Sequence, residues 1–121
     1  MRVACIVAVS LSCLVLAPWA VGAEPEVEHV EVFTSGTDGY HSYRIPAIEA
    51  AADGSLVAFC EARKHNLADP GFGKQDIDLV AKRSTDGGKT WSKMQIIEDP
   101  GELWSAANPA TVLDRTNGRL W

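Results

Sequence analysis

Ser84-Thr85-Asp86-Gly87-Gly88-Lys89-Thr90-Trp91 separates two strand-like segments, Ile77–Arg83 and Met94–Ile97. An Asp-Gly pair between apolar runs predicts a hairpin turn. Glycine takes a positive φ there at little steric cost, and the aspartate carboxylate accepts from nearby backbone N–H groups. Gly88 permits a second unusual backbone step. Trp91 is large enough to anchor the returning strand against the core, and its indole N–H needs an acceptor.

Strand signals continue on both sides of this turn. Leu56–Ala62 is an almost continuous apolar run, joined through the Asp53-Gly54 turn to Tyr43–Ile48, where Pro46 interrupts regular pairing on one side. Val30–Phe33 alternates enough to predict a short strand before the polar loop Thr34–Gly39. Arg63–Gln75 is a long polar loop with Pro70, Gly71 and Gly73. Ala110–Leu113 and Arg119–Trp121, around Asn117-Gly118, begin another hairpin. No segment of ten or more residues after residue 23 has helical periodicity, so the fold class is all-β. Four antiparallel strands with three connections make one meander the size of a propeller blade. Both of its faces carry apolar residues, so each side expects cover that a lone sheet cannot supply. Residues 24–121 are therefore expected to be the incomplete amino-terminal part of a larger domain, about one blade and the start of a second.

Residues 1–23 read as a secretory signal: Arg2, the apolar run Val3–Leu16, then Val21-Gly22-Ala23 before Glu24. The apolar run is shorter than a spanning helix needs, which argues against a permanent anchor. The expectation is a protein secreted or periplasmic after cleavage. Losing Arg2 takes the net charge from −5 to −6, and with no basic run nucleic-acid binding is excluded. Cys5 and Cys13 leave with the signal, so Cys60 has no internal partner and reads as a buried thiol. His41, His65, Cys60 and Asp69 lack metal-ligand spacing, and no phosphate loop, nucleotide fingerprint or Ser-His-Asp order occurs. No metal or cofactor is expected.

Antiparallel pairing places Tyr43-Arg44 beside Ala62-Arg63, at the sheet end where the Arg63–Gln75 loop starts. The Asp-Gly-Gly turn falls at the opposite end. Arg44, Arg63 and Asp69 thus share one rim, with Asp76 as a rival carboxylate at the end of the same loop. A guanidinium is permanently charged and planar, so it grips a carboxylate through two parallel hydrogen bonds.

Ser84, Asp86, Gly88 and Trp91, as Ser-x-Asp-x-Gly-x-x-Trp, resemble the Asp box of sialidases, a folding element of β-propellers that non-enzymes also use. Tyr43-Arg44-Ile45-Pro46 looks like the Tyr/Phe-Arg-Ile-Pro motif of exo-α-sialidases, whose arginine is the first of three that clamp the substrate carboxylate. Arg63 and Asp69, six apart, resemble that family's second active-site arginine and its acid/base aspartate. Asn108-Pro109 is similar to a stretch in bacterial members. The resemblance runs from about Val30 to Trp121 and implies a six-bladed propeller. It also implies hydrolysis of terminal sialic acids from glycans or glycolipids, with Arg44 on the carboxylate, Arg63 at the sugar's 4-hydroxyl and Asp69 as the acid. The tyrosine nucleophile that sialidases use, and the glutamate that activates it, would lie downstream. The alternative is a non-catalytic Asp-box propeller that binds a glycan or protein, which would have no use for these three residues together.

Overall fold

Leu56–Arg63 and Ile77–Ser84 pair without a break, Leu56 facing Ser84 and Arg63 facing Ile77. The computed structural model describes residues 27–121; the expected leader and its cleavage site lie outside the described residues. Strands β1 (Ser42–Ala50), β2 (Leu56–Arg63), β3 (Ile77–Ser84) and β4 (Gln95–Glu98) form one sheet in the order β1-β2-β3-β4. All its pairs are antiparallel. A two-stranded hairpin follows, β5 (Leu113–Asp114) and β6 (Arg119–Leu120). The chain is all-β, as expected, with no helix among the described residues.

Register assigns the two faces. Side chains alternate along a strand and paired residues point the same way, so Val57, Phe59, Glu61 and Arg63 share one face with Leu79 and Ala81. Ala58, Cys60 and Ala62 share the other with Val80 and Asp78. The second face holds the buried cluster of Tyr40, Cys60, Ala62 and Val80, covered by Phe33, Tyr43 and Met94. The first face meets the chain that follows β4: Pro109, Ala110, Leu120 and Trp121 line a hollow with Phe59 and Leu79. The first face stays partly open at this hollow, where Ile97 and Trp121 remain 50 % and 69 % exposed.

Three sequence expectations need correction. Of Ala110–Leu113 only Leu113 lies in a strand, β5. Val30–Phe33 is not a strand. It is held instead by side chains: the Lys82 ammonium donates to the Val32 carbonyl at 2.9 Å, and Phe33 packs 5.3 Å from the Tyr43 ring. Trp91 does not reach the central cluster. Its indole donates to the Gly88 carbonyl at 3.0 Å, so the ring lies over its own turn.

That turn is closed by side chains. Ser84 Oγ donates to Asp86 Oδ1 at 2.8 Å and accepts from the Gly88 N–H at 2.8 Å. Asp86 accepts from the Thr90 N–H at 2.9 Å and from its hydroxyl at 2.6 Å. Gly87 and Gly88 stand at φ 74° and 93°, where side chains are strained. The Thr90 hydrogen bonds, then those from the Thr90 backbone and Ser84, pull the Asp86 carboxyl down from 3.8 to about 2. A lowered pKa means these bonds are intact above the unfolded value and lost as pH falls through the folded one. The Thr90 amide resonance should therefore titrate with a midpoint near 2; a midpoint near 3.8 would show that the carboxylate does not close the turn.

Candidate functional site

β1 and β2 bring Arg44 opposite Glu61, with Arg63 two residues further along the same face. Pairing breaks between Arg44 and Ala47, so Ile45 and Pro46 bulge out opposite Cys60. Pro46 has no N–H for the ladder, and Ile45 sits at φ 53°, a strained value for a β-branched residue. Bulges re-aim side chains at strand ends, and here the residue before the bulge is Arg44. The Cys60 thiol donates to the Arg44 carbonyl at 3.0 Å. Cys60 is buried, as expected, and burial pushes its thiol up to about 11.

Arg63 is only 1 % exposed. A buried guanidinium needs every donor met and its charge balanced. Glu61, fully buried, takes Nη2 at 2.6 Å and Nε at 3.2 Å on one oxygen, Oε2. Nη1 donates to the Leu67 and Ala68 carbonyls at 2.7 and 2.8 Å. Asn66 turns the loop to make this possible, its Oδ1 accepting from the Ala68 N–H at 2.8 Å. The other Glu61 oxygen accepts from the Asn108 N–H at 3.0 Å, where Asn108 takes φ 55°. Arg63 is thus a buried, braced cation and not a surface ion pair.

Asp69 stands over this base. Its Oδ1 accepts from Arg44 Nη1 at 2.7 Å and from Arg63 at 3.2 and 3.3 Å. Arg44 Nη1 also donates to the Leu67 carbonyl at 3.1 Å. The Asp69 side chain remains 61 % exposed, and among the described residues its Oδ2 has no partner. Arg44 keeps Nε and Nη2 without partners among the same residues, with its side chain 39 % exposed. A cleft of about 390 Å³ opens between Arg44, Ile45, Glu61, Arg63, Asp69 and Asn108. It presents two cations, one half-committed carboxylate and a braced floor. That arrangement can hold an anion on Arg44 and move a proton at Asp69 Oδ2.

The structure therefore brings together three of the four site residues expected at this rim. Asp76, the rival carboxylate, is placed elsewhere. It is buried and ion-paired to Lys64 at 2.9 Å, and Lys64 also reaches Asp78 at 3.3 Å. Asp78 faces Ala62, on the side of the sheet away from Arg63. Asp76, Asp78 and Asp99 lie within reach of a common ion, but the Lys64 ammonium already sits against all three carboxylates. Hydrogen bonding to Asp76 is the leading cause that holds Lys64 above its ordinary value. Burial pushes the Asp78 carboxyl up, despite hydrogen bonds from Tyr40, at 2.5 Å, and Lys64. Ser84, Asp86, Gly88 and Trp91 lie at the opposite sheet end, seven residue steps or roughly 23 Å away. Their part is to close the β3–β4 turn.

Sequence reading missed Glu61. The signal was available: a carboxylate inside an apolar strand, two residues from Arg63 and hence on the same face. It was hidden because Leu56–Ala62 reads as a continuous apolar run.

No family model matches the chain. A curated sialidase of Micromonospora viridifaciens is 30 % identical over 108 residues, 87 % of this chain and 16 % of that protein. A Bacteroides fragilis sialidase is 29 % identical over 111 residues, 84 % of this chain and 20 % of that protein. An exo-alpha-sialidase of Arthroderma benhamiae is 37 % identical over 83 residues, 63 % of this chain and 19 % of that protein. The chain thus spans a fifth or less of the length of these relatives.

Proposed function

We propose, for a chain that belongs to the sialidase family, that the Arg44–Arg63–Asp69 cleft is one wall of an active site that releases terminal sialic acid from glycans. The sialidase relatives imply a β-propeller, of which the chain covers a part. The observation that carries the proposal is the single Asp69 oxygen held by both guanidinia at the mouth of the cleft. An acid needs one oxygen fixed and one free for its proton, and Asp69 has that division. Sialic acid carries its carboxylate on the reacting carbon, so a guanidinium that fixes this group also aims the bond to be cleaved. In this reading Arg44 exchanges its hold on Asp69 for the substrate carboxylate. Arg63, locked by Glu61, meets a ring hydroxyl with the Nη2 N–H that now reaches Asp69, and Asp69 protonates the leaving oxygen from Oδ2. The substrates are sialylated glycoconjugates, no cofactor takes part, and the protein works outside the cytoplasm after cleavage before Glu24.

The test uses the full-length protein and a sialyl-oligosaccharide. Free sialic acid should be released, and Arg44→Lys should lower kcat/KM on natural and aryl sialosides by similar factors. A lysine cannot make the paired grip, and that loss does not depend on the leaving group. Retention of the glycan without release, by intact protein, would support a binding module instead.

A further inference from the structure

We infer that Gln75 is a positioning residue that sets where the Asp69 carboxylate stands; the inference rests on the acid role given to Asp69 above. Asp69 begins a tight turn in which the Phe72 N–H donates to the Asp69 carbonyl at 3.0 Å. The turn lies in a loop with few apolar anchors, since Leu67 and Phe72 are both exposed. Arg44, Arg63 and Asn66 hold the loop's first half; one side chain, Gln75, holds the turn after Asp69. Gln75 is buried, at 8 % exposure, at the foot of the loop. Its Nε2 donates to the Phe72 carbonyl and reaches the Asp69 carbonyl at 3.5 Å. Its Oε1 accepts from the Gly71 N–H at 3.2 Å. A primary amide has two donors and two acceptor sites, and the last is filled by the Ser105 hydroxyl at 2.7 Å.

The orientation of this amide is determined by its partners. Oε1 must face the Gly71 N–H, which can only donate, and Nε2 must face two carbonyls, which can only accept. Ser105 is fixed in turn, because it bridges to Ile77 at the start of β3. A rigid path thus runs from β3 through Ser105 and Gln75 to the Asp69–Phe72 turn. The same strand end carries Arg63 opposite Ile77, so acid and guanidinium are referenced to one piece of sheet. Arg44 and Arg63 fix only the Oδ1 end of Asp69, and Gln75 fixes the backbone turn that carries it. Gln75 does not touch the cleft itself, whose walls are other residues.

The experiment is a double-mutant comparison in the full-length protein with a natural sialoside and an aryl sialoside. Gln75→Ala should lower kcat/KM on the natural substrate by up to about 100-fold, the scale of an ångström of misplacement, and lower it much less on the aryl substrate. Added to Asp69→Ala, it should cause little further loss, because the group it positions is gone. Gln75→Glu keeps the shape and the Oε1 acceptor while losing the Nε2 donor, and it should repeat the pattern where alanine prevents folding. If Asp69→Ala shows the leaving-group contrast but both Gln75 variants fold and leave that contrast unchanged, the positioning role is wrong and the acid stands. If the Gln75 loss persists in full on the Asp69→Ala background, Gln75 acts elsewhere and the inference is overturned. If Asp69→Ala itself shows no contrast, the acid assignment fails and the positioning role falls with it.

Discussion

Asp69→Ala in the full-length protein should cut kcat/KM on natural sialosides by about 100- to 10,000-fold, the usual contribution of a proton-transfer group. Natural sialosides leave as poor alkoxides and need the proton. Aryl sialosides leave as acidic phenols and should lose far less in bond cleavage. The same residue would assist water in the second step as a base, so glycosyl-enzyme accumulation is measured alongside to separate the two losses. Asp76→Ala should show no such contrast. Its effect should fall on stability, because Lys64 loses the carboxylate 2.9 Å away. A contrast seen with Asp76→Ala and absent with Asp69→Ala would transfer the acid role to the other face of the sheet.

Glu61→Ala should destabilise the protein by about 3–5 kcal/mol, read from the denaturant midpoint of unfolding. The magnitude follows from what is left behind: a guanidinium with a side chain only 2 % exposed, deprived of a carboxylate at 2.6 Å. The Asn108 N–H loses its acceptor in the same change. Replacing both partners, Glu61→Met with Arg63→Met, should recover much of that stability, since no buried charge is then unpaired. Activity should not return with it. A Glu61→Ala protein as stable as the parent would mean that the pair is not buried as described.

The hairpins were legible because their signals are local. Asp53-Gly54 and Asp86-Gly87-Gly88 need glycine at positive φ, and glycines stand there at φ 82°, 74° and 93°. β2 and β3 were legible because an apolar run between such turns has few alternatives. The β1 interruption was legible from Pro46 alone, which cannot complete a ladder. Ala110–Leu113 was read too generously: only Leu113–Asp114 pairs with Arg119–Leu120, extended by reciprocal bonds between Val112 and Trp121. Upstream, Pro109 has no N–H and Asn108 turns to positive φ to reach Glu61. Val30–Phe33 alternates well, but its anchors are one ammonium and one ring, which no periodicity reveals.

At the site, Arg44, Arg63 and Asp69 could be placed on one rim from antiparallel order alone. The bracing of Arg63 could not, because it depends on loop carbonyls at Leu67 and Ala68 that carry no side-chain signature. Asp76 remained a rival to Asp69 in sequence because it follows directly on the loop that carries Asp69. Only the loop's path, which buries Asp76 against Lys64, separates them. Gln75 gave no signal, because its partners at Gly71, Phe72 and Ser105 become neighbours only after folding.

Whether Arg44, Arg63 and Asp69 face one sugar is decided by the structure of the full-length protein with sialic acid bound. The sugar carboxylate should lie within about 3 Å of Arg44 nitrogens, with a ring hydroxyl at Arg63 and Asp69 Oδ2 on the side of the leaving oxygen. Sialic acid bound away from this cleft, or bound with Arg44 still paired to Asp69 and its own carboxylate held elsewhere, would contradict it.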